Sequence, residues 1–344
     1  MNRKTLVTIL LPVIVTTLVA IVAFGKCNGK GSWQKDTGFI FGTSYNITYL
    51  CPDNHKADIE KVLHDIDSSL SPFNEQSVIT AVNNSDGSGV IVTKLLEDVI
   101  TEAGKVYRDT HGAFDITVAP LVNAWGFGFK NGSMPSDTQI DSLRAFVGYD
   151  KITLSKGTLT KADPRVMLDC GAIAKGFAVD KVAEMLSSKG ITDYMVEIGG
   201  EIVCRGKNPT GDKWQIGVTR PDDDSLSIDN ELQTILALTD VAMATSGNYR
   251  NFYYRNGKKY AHTIDPHTGR PVQHNILSAT VLAPTCMQAD AYATSFMVLG
   301  LEEAQKILAR LPEMMAYFIY TDSKGDYSVW HSPQMKKYIT TDQN

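Results

Sequence analysis

Asp290 and Thr294 stand four residues apart in "DAYAT". On a helix, that spacing puts a carboxylate and a hydroxyl on one face. Two hard oxygen donors suit Mg²⁺, which usually completes its sphere with substrate phosphates. The plainer reading is a surface Asp with a Thr bonded to its own helix. Context weighs against it: "FMVLG" follows at once, so the helix is buried and its carboxylate must be paired or bound.

A second stretch, "LDCGAIAKGFAVDK" (168–181), sets Asp169 before an apolar helical run and Lys175 just inside it. One reading is an Asp N-cap and a lysine that snorkels to water. The other is an anion site, because a helix N-terminus offers unpaired N–H groups and partial positive charge, to which Lys175 adds a full one. Gly171 and Gly176 let a ligand or another backbone come close.

Three more stretches carry candidate groups. In "YAHTIDPHTGRPV" (260–272), His262 ends a strand beside a Pro266/Gly269 turn, where it suits a general base or an orienting group. A satisfied structural histidine fits equally. "THGAFDITVAPLVNAWGFG" (110–128) combines Gly112, Phe114 and Trp125, small and flat groups of the kind a heteroaromatic ligand needs, or simply core aromatics. "ATSGNYRNF" (244–252) reads as a turn whose Thr245 and Ser246 donate hydrogen bonds to a phosphate or carbonyl.

The elements that must position these groups are legible from hydrophobic period. From about Gly38, "FGTSYNITYL" (41–50) alternates as a strand, and 57–70 and 94–110 have helical spacing. Glycines 112, 126, 128 and 132 mark a loop-rich stretch. A helix near 138–146, short strands to about 168 and the 168–188 motif helix follow. Strands are expected at 194–198, 214–220, 234–239 and 276–283, and helices at 287–300 and 301–311. Strands and helices do not alternate strictly, so the expected fold is α+β, with mixed or antiparallel sheets packed against helices.

The chain has 344 residues, 43% hydrophobic and 21% charged, with net charge -5. That is globular composition and speaks against nucleic-acid binding, which needs clustered Lys and Arg. Residues 5–24 carry no charge and follow Arg3 and Lys4. About 20 such residues span a bilayer, and the basic flank favours a cytoplasmic N-terminus. Residues 1–30 are therefore expected to be a signal or anchor segment, and 31–344 one catalytic domain on the extracytoplasmic side. Cys27 just beyond the span suggests a lipoprotein cysteine, although Lys26 sits where such a signal wants a small residue. None of the five cysteines forms a C-x-x-C pair, which disfavours zinc and thioredoxin-type chemistry. P-loop, dinucleotide-fingerprint, nucleophile-elbow and zincin motifs are all missing.

Taken together, these stretches resemble the ApbE family, the FAD:protein FMN transferases, from "FGTSYNITY" to the C-terminal strands and in the family's order. The resemblance implies an ApbE-like fold and a site for FAD. Phe41 stands where the family has Met, "LSPFNEQSVI" (70–79) points at Phe73, and "GAFD" carries over Ala113, Phe114 and Asp115. The resemblance further implies that Asp169 and Lys175 touch FAD, with His262 and Ile264 on the flavin side. Mg²⁺ would take the Ala172 carbonyl, Asp290 and Thr294.

The family's chemistry implies that a Thr or Ser hydroxyl of an acceptor protein attacks the FMN phosphorus of FAD and that AMP leaves. His262 or Asp290 would take the hydroxyl proton. Family acceptors often belong to membrane electron-transfer complexes, which fits an anchor at the periplasmic face of a bacterial inner membrane. Two rivals remain: Mg²⁺-dependent FAD hydrolysis to FMN and AMP, and a membrane-tethered flavin binder without turnover.

Overall fold

A computed structural model describes the backbone of residues 31–129, 134–221, 232–248, 252–255, 258–273 and 275–342. The expected anchor, including Cys27, lies outside the described residues. Among the described residues no helix is long and apolar enough to cross a membrane.

The chain opens with the hairpin β1 (Ser32–Ile40) and β2 (Thr43–Cys51), then α1 (Lys56–Leu70), α2 (Val78–Asn84), β3 (Val90–Ile91) and α3 (Lys94–Asp109). Next come α4 (Ala119–Ala124), α5 (Asp137–Arg144), β4 (Ile152–Ser155), β5 (Thr158–Lys161) and α6 (Ala174–Ser188). Strands β6 (Tyr194–Ile198), β7 (Glu201–Arg205), β8 (Trp214–Thr219), β9 (Leu232–Leu238) and β10 (Val241–Gly247) follow. Four short strands, β11 (Phe252–Arg255), β12 (Lys258–Ala261), β13 (Ile264–Asp265) and β14 (Arg270–Pro271), precede β15 (Ile276–Ala283). The chain ends with α7 (Cys286–Leu299), α8 (Leu301–Leu308), β16 (Met315–Thr321), β17 (Tyr327–His331) and β18 (Ile339–Asp342).

Eight strands form the main sheet, in the order β1-β2-β6-β7-β10-β15-β16-β17. Its neighbours pair antiparallel throughout. Side chains alternate between the two faces of a strand, and here both faces are covered. Val203, Ala242, Ala244, Val281, Ala316 and Phe318 join the core built with α6 and α7. Their neighbours Ile202, Met243, Leu282, Met315, Tyr317 and Ile319 pack with Trp214, Ile216 and Leu236 of a smaller sheet, β18-β9-β8. Covering both faces explains why these strands read as apolar runs, not as clean alternation. The arrangement is α+β with antiparallel sheets, as expected.

Helices α6 and α7 build the site. α6 packs on β6 and β7, α7 on β10 and β15, and the two pack on each other. α7 is apolar nearly all round and buries Ala289, Asp290, Ala291, Tyr292, Ala293, Phe296 and Met297. Thr285 caps its first turn by accepting from Gln288 N. Asp180 of α6 does the same across the helix pair, accepting from Cys286 N and Met287 N at 2.8 Å each.

Three local expectations are corrected. Asp169 is not the N-cap of α6: the helix starts at Ala174, and its cap position, Ile173, makes no side-chain bond. Asp169 instead folds onto its own turn, accepting from Gly171 N at 2.7 Å. Thr245 and Ser246 lie in strand β10, not in a turn. A strand not expected from the sequence, Ser32–Ile40, precedes the one expected at 41–50, which is β2.

Candidate active site

A cleft of about 380 Å³ opens where the N-terminal end of α6, the middle of α7, the end of β10 and the 113–128 segment converge. Its size falls within the roughly 300–1,000 Å³ usual for small-molecule sites. Ala113, Phe114, Asp115, Asp169, Ala172, Lys175, Thr245, Ser246, His262, Ile264, Asp290 and Thr294 all line it, with Phe73. Gly112 and Trp125, singled out in the sequence, are not in that lining, and neither is Phe41. It sits in the left-handed region (φ 53) at the tip of the β1–β2 hairpin and packs against the main core.

One end of the cleft is charged. Asp290, 2% exposed, accepts from Gly176 N at 3.0 Å through Oδ2. Lys175 Nζ lies 3.7 Å from Asp290 Oδ1 and 3.0 Å from Glu201 Oε1. The lysine therefore does not simply snorkel to water: it is held between two carboxylates. Burial alone would lower its pKa, but the charges of Asp290 and Glu201 outweigh that and raise it above the usual lysine range. Burial pushes the Glu201 carboxyl up to about 8, against the pull of Lys175 and with the push of Asp290. When both acids are ionised, two carboxylates face one lysine, and a cation relieves the surplus.

Hydroxyls sit beside this cluster. Thr294 Oγ1 lies 3.0 Å from Ser246 Oγ, and Thr245 Oγ1 lies 2.9 Å from Thr280 Oγ1. Asp169 also lines the cleft, its carboxyl raised by burial against the Gly171 N–H.

The other end is apolar and aromatic. Phe114 and Ile264 are buried in its wall, with Ile116, Val118 and Phe127 around them. The His262 ring meets Phe127 edge-on, centroids 6.5 Å apart. Phe73, 74% exposed, stands at the mouth against Phe129. Asp115 lies under this end, accepting from Thr117 N and Thr117 Oγ1 at 2.8 and 2.7 Å. Burial pushes its carboxyl up to about 6 despite those bonds.

Glu201 escaped the sequence reading. It belongs to no motif, and "EIVCR" reads as an ordinary strand. The available signal was a charged residue opening an apolar strand directly after Gly199-Gly200. Both glycines take positive φ, 65° and 103°, and this turn delivers Glu201 to the lysine.

The cleft can therefore hold a molecule with an anionic, metal-binding part at one end and a flat apolar part at the other. The family model described as "ApbE family" matches residues 41–319. The FAD:protein FMN transferase of Haemophilus influenzae is 37% identical over 326 residues, which cover 89% of this chain and 93% of that one. The Escherichia coli K12 protein of the same name is 35% identical over 296 residues, 84% of this chain and 83% of its own. Among solved structures, the flavin transferase ApbE from Vibrio cholerae superposes with a TM-score of 0.81 at 34% identity, over 90% of this chain and all of that one. The Pseudomonas stutzeri flavinyl transferase ApbE, in its apo form, gives 0.80 at 29% identity, over 89% and 96%. With the family model running through both ends of the cleft and relatives matched along nearly their whole length, the chain belongs to the ApbE family.

Proposed function

We propose that this protein transfers the FMN part of FAD to a Thr or Ser hydroxyl of an acceptor protein, with AMP as leaving group. The observation that carries this reading is the two-ended cleft. A lysine, two buried carboxylates and hydroxyls line the same cleft as an aromatic wall. FAD has that same division, with a charged diphosphate beside a flat apolar ring.

Mg²⁺ fits the charged end. Ala172, Asp290 and Thr294 offer a carbonyl, a carboxylate and a hydroxyl, the hard oxygen donors this ion takes. When bound, Mg²⁺ neutralises charge on the diphosphate.

The chain's own residues do the rest. Lys175 binds the diphosphate by a charge-assisted bond. Phe114, Ile264 and Phe73 hold the ring system. Attack forms a phosphorus–oxygen bond to the acceptor hydroxyl and breaks the anhydride bond to AMP. The hydroxyl proton goes to His262, because Asp290 is already engaged at Oδ2 by Gly176 N and faces Lys175 at Oδ1. In such transfers positioning and charge neutralisation supply most of the rate. The acceptor would be a subunit of a membrane electron-transfer complex, met at the extracytoplasmic face by a protein tethered through residues 1–30, by the helix itself or by lipid at Cys27.

The test is direct. The full chain is incubated with FAD and Mg²⁺, with and without a candidate acceptor domain, and AMP and acceptor mass are followed. AMP that appears only with acceptor, together with an FMN-sized mass gain on a Thr or Ser, supports transfer. AMP without acceptor would make the protein a hydrolase, and no AMP in either case would make it a binder.

A further inference from the structure

We propose that Glu201 is a positioning residue: it holds the Lys175 ammonium at the diphosphate end of the cleft while Asp290 is engaged elsewhere. The proposal rests on the flavin-transfer reading above and assigns a role to a residue outside its motifs.

Geometry makes Glu201 the nearer partner of Lys175. Nζ is 3.0 Å from Glu201 Oε1 and 3.7 Å from Asp290 Oδ1. The partners also differ in freedom. The Lys175 side chain is 29% exposed and that of Glu201 only 4%. A lysine stem is long and mobile, and ordering it on binding costs affinity. A carboxylate fixed in the core removes that cost in advance.

The backbone keeps Glu201 fixed. It opens β7 and pairs with Ile198 across the Gly199–Gly200 turn. Gly200 N donates to Glu197 Oε1 at 2.8 Å, which ties the turn to β6. Gly199 is bare for a reason: a Cβ there would lie 2.8 Å from Thr43 Cγ2 and 3.3 Å from Lys175 Cδ. The lysine stem therefore runs across the turn that carries its partner.

Packing alone does not account for a carboxylate here. Among the described residues Glu201 Oε2, which is buried, has no hydrogen-bond partner, a costly state for a polar atom. The next residues, Ile202 and Val203, fill the two cores with apolar side chains. An apolar residue would serve the fold at position 201 as well, whereas only an acceptor serves Lys175.

The experiment is a double-mutant cycle read by FAD binding. FAD is titrated by flavin fluorescence in Mg²⁺ into the full-length wild type, E201L, E201Q, K175M and K175M combined with each Glu201 variant, with melting curves alongside. E201L should weaken FAD about 10-fold when Lys175 is present and add nothing in the K175M background. E201Q keeps an amide oxygen for Nζ and should recover most of the affinity. Equal losses in both backgrounds, or no loss with Lys175 present, overturn the proposal. Should E201L fail to fold, E201Q decides on the same rule: a smaller loss that disappears with K175M supports it, and any other pattern overturns it. A wild type that binds no FAD overturns the flavin reading itself, and this proposal with it.

Discussion

Gly176 donates its backbone N–H to Asp290 Oδ2 at 3.0 Å, joining the first turn of α6 to the middle of α7. The bond orients the Asp290 carboxylate so that Oδ1 faces Lys175. It forms because nothing stands between the helices. A Cβ on Gly176 would lie 2.3 Å from Cys286 O and 2.8 Å from Asp290 Cβ. The junction that aims the carboxylate thus depends on a missing side chain.

Gly176→Ala should therefore force α6 and α7 apart. Overpacking of this kind typically costs about 1–3 kcal/mol. A melting temperature several degrees lower and weaker FAD binding are expected together. An alanine variant that melts and binds like wild type would show that the helices approach less closely than described.

Asp290 allows a sharper separation of fold from function. Asp290→Ala leaves both the Gly176 N–H and one side of Lys175 without a partner, so it should lower stability as well as activity. Asp290→Asn keeps an oxygen for Gly176 and removes only the charge. It should melt near the wild-type temperature and lose turnover on the order of 100-fold. Near-normal turnover of the Asn variant at ordinary Mg²⁺ would remove Asp290 from the metal site.

Much of this junction was legible in the sequence, and the misses have physical causes. Strands 194–198 and 276–283 emerge with the bounds expected, because apolar runs ended by turn residues admit few registers. α7 was found because a buried helix with one acid is unusual. β10 was not: "VAMATSG" is made of small residues before Gly247, and small residues carry little strand signal. The start of α6 was misplaced because an acid before an apolar helix looks like a cap. Here Asp169 bonds to Gly171, and the helix begins only at Ala174. Glu201 was missed because its one local signal, an acid opening an apolar strand after two glycines, does not say which side chain the sheet register brings it to.

Asp180 gives a pH prediction remote from the cleft. Burial pushes its carboxyl up to about 6, against the N–H groups of Met287 and Cys286. The unfolded value is near 3.8, so the folded chain holds this proton more tightly. Its contribution to stability is greatest below about pH 4, falls as pH rises from about 4 to 6, and is flat above. Asp180→Asn keeps a capping oxygen and does not titrate. The melting temperature of wild type minus that of Asp180→Asn should therefore drop across that window. A difference that stays constant from pH 4 to 7 would mean the carboxyl is not raised.

The N-terminal segment makes its own prediction. If residues 5–24 anchor the chain, the full-length protein should pellet with membranes and need detergent for release. Removal of residues 1–30 should give a protein that stays in the supernatant. Mass spectrometry of the membrane-bound form then decides between an intact helix and a lipid on Cys27. Full-length protein that remains in solution without detergent would end the anchor proposal.

Asp169 closes the set, because the structure removes its simplest explanation. It does not cap α6, and its Oδ1 already serves Gly171 N at 2.7 Å. Its backbone N–H donates to Ile116 O at 2.7 Å, which ties the loop before α6 to the aromatic wall of the cleft. What remains is the carboxylate charge, which burial disfavours and which a ligand donor would offset. Asp169→Asn retains an oxygen for Gly171 and loses the charge alone. If the carboxylate accepts a bond from FAD, affinity should fall about 10-fold with the melting temperature nearly unchanged. If its work is confined to the turn, FAD titration of the Asn variant will overlay the wild-type curve, and the flavin role of Asp169 is then discarded.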